Sequence, residues 1–240
     1  MKISTNMSLS KIGRIAATLL LTAFVICLSA CSKNETETPA ISGLMVVNAS
    51  PGYGTFNLYI NNVSSPVNTK GALPFLGTIS PYFNITPGTN TLKFTTASST
   101  ESLFSQATTL EADKAYSYFL INNTPNLEGL LIQDDLSLTS SEKGFIRFIN
   151  LSPDAGALDL SVTGGTNLAT DKSYKSATEF LSVDAKPYSF ELKDKVSGQV
   201  IATLKDVTIT AGKMYTIVAA GMLSPGELQQ TVRLEVITNR

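Results

Sequence analysis

The sequence predicts an all-β protein, two tandem β-sandwich copies behind an N-terminal export segment. Two observations predict the fold. Apolar and polar residues alternate with period two in Phe56-Asn57-Leu58-Tyr59-Ile60 and again in Leu158-Asp159-Leu160-Ser161-Val162. Successive side chains of an extended chain point to opposite faces, so such a stretch buries one face and wets the other. A longer pattern also occurs twice. Val46-Val47-Asn48-Ala49-Ser50-Pro51 returns 102 residues later as Phe148-Ile149-Asn150-Leu151-Ser152-Pro153, and Leu110 to Tyr116 returns 99 residues later as Ile209 to Tyr215. A unit of that length is domain-sized, too long for a solenoid repeat.

Residues 1–30 read as a signal peptide. Lys2, Lys11 and Arg14 precede an apolar run from Ile15 to Leu28, which ends in Leu28-Ser29-Ala30-Cys31. Basic, apolar and small-residue regions in that order form a secretory signal. The apolar run is shorter than the roughly 20 residues a spanning helix needs. The Leu-Ser-Ala-Cys ending resembles the lipobox of bacterial lipoproteins, in which a lipid is attached to the cysteine sulfur and the chain is cut just before it. The resemblance implies a mature lipoprotein beginning at Cys31 and carrying acyl chains such as palmitate. Stable anchoring takes two such chains, at about 0.8 kcal/mol per buried methylene. Residues 31–40 follow as a flexible tether, because Ser32 to Pro39 has no large apolar residue with which to bury a core. Its acids, Glu35 and Glu37, also resemble the surface-export signal of Bacteroidota lipoproteins. A plain solvated tether and an export signal both stay open.

Composition removes several function classes. Three of the 18 basic residues leave with the signal, and the rest are outnumbered by 19 acids, so no basic surface matches a nucleic acid. Of the two cysteines, Cys27 leaves with the signal and Cys31 is the anchor, so no internal disulfide forms. The chain has no histidine, which removes the usual general base near neutral pH, the Ser-His-Asp and Cys-His arrangements and the commonest transition-metal ligand. The expectation is a protein that is not an enzyme and uses no cofactor or metal.

Repeat one is placed at 41–138 and repeat two at 143–240, with Leu138 to Lys143 as linker. Asn61-Asn62 and Gly164-Gly165 end the first alternating strands with turn residues. Leu92-Lys93-Phe94 and Phe190-Glu191-Leu192 alternate again, while Tyr116 to Ile121 and Tyr215 to Ala219 read as strands buried on both faces. No stretch of the mature chain holds a helical period for three turns. Leu110-x-Ala112-x-x-x-Tyr116 and Ile209-x-Ala211-Gly212-x-x-Tyr215 have the spacing of a tyrosine corner, whose phenol bonds back to upstream backbone in Greek-key sandwiches.

The Asn-x-Ser-Pro turn followed by alternating apolar residues resembles the bacterial domain-of-unknown-function family 4397, as does Ala211 to Ala220 with its Ala-Gly-Lys-x-Tyr-Thr-x-Val-x-Ala. Arg147 to Ala155 is close to the family's opening; repeat one departs, with Gly52-Tyr53 in place of Asp-Ala and Asp113 in place of Gly. The resemblance implies tandem immunoglobulin-like β-sandwiches in an exported protein. It brings no catalytic residue.

The remaining candidates read as structure. Asn48/Ser50 and Asn150/Ser152 are expected to cap turns before Pro51 and Pro153. Asp154 and Asp159, or Asp134 and Asp135, lack the Asp-x-Asp-x-Asp-Gly series of a calcium loop and read as solvated carboxylates. Lys114 and Lys213 read as solvated turn charges rather than partners of a nucleophilic serine. Tyr53, Phe56, Tyr59, Phe75, Tyr82 and Phe83 read as core, with an exposed binding patch as the alternative. The functional expectation is a non-catalytic binding or presentation module of the bacterial cell envelope. It would be anchored in the outer membrane by lipid, facing the periplasm or the cell surface, with a glycan or protein ligand. The alternative is a structural subunit of a pilus-like surface polymer, with Thr231 to Ile237 as the donor strand. Replacing Cys31→Ser is expected to move the protein from the membrane fraction to the soluble one; a blot that still finds it in the membrane pellet removes the anchor.

Overall fold

The computed structural model describes residues 39–240, Tyr53 and Asn62 excepted. Cys31, the signal peptide and residues 31–38 of the tether lie outside the described residues. Those described contain fifteen strands and no α-helix. Repeat one supplies β1 (Ser42–Asn48), β2 (Phe56–Ile60), β3 (Thr78–Ile85), β4 (Gly88–Thr96), β5 (Phe104–Leu110), β6 (Ala115–Ile121) and β7 (Glu128–Asp134). Repeat two supplies β8 (Lys143–Leu151), β9 (Leu158–Val162), β10 (Asn167–Lys172), β11 (Leu181–Asp184), β12 (Pro187–Asp194), β13 (Val200–Thr208), β14 (Met214–Ala220) and β15 (Arg233–Thr238).

Each repeat builds two sheets. In repeat one the orders are β3-β1-β6-β7 and β2-β4-β5; in repeat two they are β11-β8-β14-β15 and β10-β9-β12-β13. The central pairs β1–β6 and β8–β14 are parallel, and their registers agree between copies: Leu44 opposes Tyr116 as Ile146 opposes Tyr215. Among its described residues, repeat one has no counterpart of β10. There the Asn68 side chain takes over, its Oδ1 accepting the Leu58 N–H at 2.8 Å, while the Val67 N–H donates to the Leu58 carbonyl at 2.8 Å.

Two cores lie inside the repeats and a third joins them. Leu44 and Val46 of β1 and Tyr116, Tyr118 and Leu120 of β6 pack against Leu58, Leu92 and Phe94 of the facing sheet. Ile146, Phe148 and Ile217 pack against Leu160, Phe190 and Leu192 in the same way. The alternate residues of the same inner strands, Met45, Val47, Phe119 and Ile121 from one repeat and Ile149, Leu151, Val218 and Ala220 from the other, form a third cluster. The sheets therefore stack in four layers, with the two inner sheets buried on both faces. This is why β6 and β14 read as continuous apolar runs rather than alternating ones, the usual pattern where parallel strands are covered on both sides.

Both tyrosine corners form. The Glu111 N–H donates to the Tyr116 hydroxyl at 3.2 Å and the Thr210 N–H to the Tyr215 hydroxyl at 3.3 Å. Gly212 in the preceding turn has φ +74°, and Asp113 takes the same left-handed conformation at +58°. A short polar side chain is among the few that tolerate that region, so an aspartate can stand in repeat one where repeat two has Gly212.

One of the ion pairs that cross between the repeats is buried. Arg147 of β8 and Asp134 of β7 are 3% and 4% exposed, and Arg147 Nη1 lies 2.5 Å from Asp134 Oδ1. Asp134 Oδ2 also accepts the Tyr82 and Ser117 hydroxyls, each at 2.6 Å. Arg147 Nε and Nη2 donate to Thr216 Oγ1 at 3.2 and 2.9 Å, and the Phe180 ring lies 4.6 Å from the guanidinium. The reading of Asp134 as a solvated carboxylate is corrected here: sequence spacing does not reveal that β7 ends beside the arginine of another repeat. Removing one partner strands a buried charge, at a cost of about 3–5 kcal/mol, whereas neutralising both is often tolerated. Arg147→Met is accordingly expected to lose about that much in urea unfolding. Adding Asp134→Asn should recover most of the loss, since repeat two already places Asn239 at the register of Asp134 and repeat one Met45 at that of Arg147. A double variant no more stable than the single one would contradict this account.

Candidate binding cleft at the loop end

The Asn-x-Ser-Pro turns shape one end of the stack. Asn48 Oδ1 accepts the Ser50 N–H at 3.1 Å, and Asn150 Oδ1 accepts the Ser152 N–H at 3.0 Å. Asn48 Nδ2 donates to the Leu73 carbonyl at 3.0 Å; Asn150 Nδ2 donates to the Gly156 and Lys172 carbonyls at 3.0 and 2.9 Å. All four side chains are buried. They serve as turn caps, as their repetition in both copies implied.

Beyond these turns the copies diverge. The β6–β7 connection is Asn122 to Leu127, six residues, whereas β14–β15 is Gly221 to Val232, twelve. The long loop is closed at its neck by the Met222 N–H to the Gln230 carbonyl and the Val232 N–H to the Met222 carbonyl, both 2.8 Å. Gly221 sits there at φ +109°, and the Thr231 carbonyl leaves no room for a Cβ. Asp154 holds one limb, its carboxylate accepting the Leu223 N–H at 2.7 Å and the Ser224 N–H at 2.9 Å. The other limb lands on repeat one: the Gln230 N–H donates to the Pro51 carbonyl at 2.6 Å, and Gln229 bridges to Gly52.

The landing encloses a cleft of about 370 Å³. Repeat one lines it with Ser50, Phe56, Leu103 and Asn123, repeat two with Leu228 and Gln229, and none of its described lining residues is ionisable. Leu228 is 77% exposed and Leu103 39%, while Phe56 is only 3% exposed and belongs to the core. Asn123 Oδ1 is buried without a hydrogen-bond partner, an unsatisfied acceptor. Tyr53, between the lining glycines Gly52 and Gly54, lies outside the described residues. A second cavity of about 190 Å³ shares Gly52 and is lined by Phe75, Gln230 and Arg233. Sequence reasoning missed the cleft; its one trace is Leu228, an apolar residue after the turn-forming Ser224-Pro225-Gly226.

The other candidates lie apart. Asp159 accepts the Asp171 N–H at 2.7 Å and lies 3.6 Å from Lys195 Nζ. Asp135 is bonded to the hydroxyl and N–H of Ser137, which hold its carboxyl below the usual range. No three His, Cys, Asp or Glu side chains group as metal ligands among the described residues. Lys114 and Lys213 are exposed. Of the aromatics, Phe56 and Tyr59 are buried, and Phe75, Tyr82 and Phe83 are partly buried against the cores. At the seam between repeats, the Tyr174 hydroxyl donates to Asn122 Oδ1 at 2.6 Å; burial first, then the charge of Glu128, pushes its pKa up to about 12. Thr231 to Ile237, the candidate donor segment, runs into β15, which is paired along β14.

The family profile for the domain of unknown function DUF4397 matches residues 42–161, half of the chain, taking in all of repeat one and the opening of repeat two. The chain belongs to the DUF4397 family. No curated protein matches it. Three solved structures give this DUF4397 chain only low-scoring overlays. The C-terminal domain of AlgF from P. aeruginosa is 19% identical, with 40% of this chain and 98% of that one covered at a TM-score of 0.31. A structure described as alpha-glucan binding by a streptococcal virulence factor is 11% identical, with coverage of 82% and 97% and a TM-score of 0.25. The family CBM26 module CBMbc from Eubacterium rectale Amy13K, solved with maltoheptaose, is 11% identical, with coverage of 82% and 97% and a TM-score of 0.26. At these scores the overlays carry no argument about ligand.

Because Leu228 projects from a loop closed by its own backbone bonds, Leu228→Ser is expected to change the unfolding free energy by no more than about 0.5 kcal/mol, the scale of a surface substitution. A loss of core size in a thermal melt would make Leu228 a packing residue.

Proposed function

We propose that this chain is a lipid-anchored protein of the bacterial outer membrane. In this reading it acts as a non-catalytic binding module and presents its cleft at the end of the stack opposite the start of β1. The observation that carries the reading is the placement of the chain ends. The Ile41 carbonyl accepts the Asp113 N–H at 2.7 Å at the start of β1, and the Arg240 side chain reaches the Leu136 and Leu138 carbonyls at the end of repeat one. Both the entry point and the carboxy terminus thus gather at one end. The cleft lies past the other end of β1, about 20 Å away for a strand of this length. A lipid at Cys31 would hold the first end toward the bilayer and leave the second free.

The cleft's chemistry favours binding over catalysis. Its described lining offers amides, hydroxyls and aliphatic groups, and no side chain that exchanges a proton near neutral pH. Glycans and peptides both suit such a lining. The polymer-subunit reading gains no comparable observation, since the segment it would donate already pairs with β14.

Protease shaving of intact cells, with a membrane-fraction blot and a screen of glycans and envelope peptides, tests the reading. The expected result is a membrane-bound chain with at least one saturable ligand that Leu228→Arg abolishes. Loss on shaving assigns the outer surface, protection the periplasm. Turnover of a bound ligand, or ligands indifferent to Leu228→Arg, would overturn it.

A further inference from the structure

The repeats touch through reciprocal contacts whose chemistry is not reciprocal. Glu128 opens β7, and Arg233 occupies the same register in β15, opposite Ala220 as Glu128 is opposite Ile121. Facing Glu128 are Tyr174 and Lys175 of repeat two, whose Nζ lies 2.7 Å from both carboxylate oxygens. The matching residues facing Arg233 are Phe75 and Leu76, alike in that Leu76 and Lys175 both have positive φ, 60° and 67°, and donate their N–H groups to the Asn48 and Asn150 carbonyls. Glu128 is neutralised. Arg233 is exposed, has no carboxylate within ion-pair distance among the described residues, and lies with its guanidinium 4.9 Å from the Phe75 ring. A guanidinium laid on an aromatic face keeps its N–H edges free and loses less freedom when it takes a planar anion.

That cation lines the smaller cavity, which shares Gly52 with the larger, uncharged one. Together they offer a fixed planar cation beside an aliphatic cleft holding an unsatisfied acceptor, Asn123 Oδ1. We infer that the two cavities are one bipartite site for a peptide segment that pairs a carboxylate with aliphatic side chains. Arg233 takes the carboxylate, Leu103 and Leu228 take the side chains, and Asn123 accepts a peptide N–H. An acidic glycan would satisfy Arg233 equally. Of the aromatic rings in the described lining, however, Phe56 is buried and Phe75 already carries the Arg233 guanidinium over its ring, so neither offers a clear face to a sugar. This assignment deepens the binding-module reading and rests on it.

The test uses the full-length lipidated protein in phosphatidylcholine vesicles. The probes are an array of hexapeptides with apolar final residues and free carboxyl ends, the same array amidated, an oligogalacturonate and a maltooligosaccharide. Saturable binding of free-acid peptides is expected, weakened about tenfold or more by amidation and by Arg233→Gln, the scale of one charge-assisted hydrogen bond. Leu228→Ser, on the far side of Gly52 from the stacked ring, should weaken it independently with the melting temperature unchanged. Peptide binding indifferent to Arg233→Gln or amidation overturns the assignment. Binding of either saccharide in place of the peptides overturns it while leaving the binding-module reading standing, and binding of no probe removes both.

Discussion

The placement of everything else follows from taking Arg147 and Asp134 out of water at the seam between the repeats. Each charge loses its hydration, and only close geometry with fully satisfied neighbours offsets that loss. Here the carboxylate collects a guanidinium and two hydroxyls, and the guanidinium reaches a threonine whose own hydroxyl donates to Asn239 Oδ1 at 2.7 Å. Asn239 Nδ2 in turn donates to the Tyr82 hydroxyl at 2.8 Å, closing the network across both repeats. Apolar faces alone would allow the inner sheets to slide or rotate at small cost; this network has one register in which all its members are satisfied. The cleft inherits that precision, because its walls come from both repeats.

The inner strands repay close reading. In β1, β6, β8 and β14 the even and odd residues serve different cores, so a substitution at Val46 disturbs repeat one while its neighbour Val47 disturbs the seam. The outer sheets have only one buried face and carry the solvated alternation. Tyr59 is one exception among a few, buried on the polar phase of β2 with Lys93 Nζ 4.6 Å from its ring, as Thr95 of β4 and Ser161 of β9 are on theirs.

Much of this was legible in the sequence. Period-two stretches located β2 and β9, the apolar runs located β6 and β14, and the spacing before Tyr116 and Tyr215 foretold both corners. These signals are local: each depends on residues a few positions apart in a strand or turn. The seam is not local. A lone arginine in Phe145-Ile146-Arg147-Phe148-Ile149 hints at a buried partner, but nothing within the sequence near it names Asp134. The cleft was hidden for a related reason. Its wall is the six extra residues of the β14–β15 loop, which has no counterpart in repeat one to call attention to its landing point on Gly52.

The reciprocal contacts, Phe75 with Arg233 and Tyr174 with Asn122, have the pattern of a two-fold axis relating the repeats. Two separate copies of one repeat meeting this way would form an isologous dimer, in which every residue at the interface appears twice. A duplicated arginine would then need a duplicated aspartate, and a loop lengthened in one subunit would be lengthened in both. Covalent tandem fusion lifts that restriction. It lets Arg147 stand where the other repeat has Met45, and lets one long loop close over one turn. The asymmetric cleft is thus an option open to a single chain and closed to a homodimer of its halves.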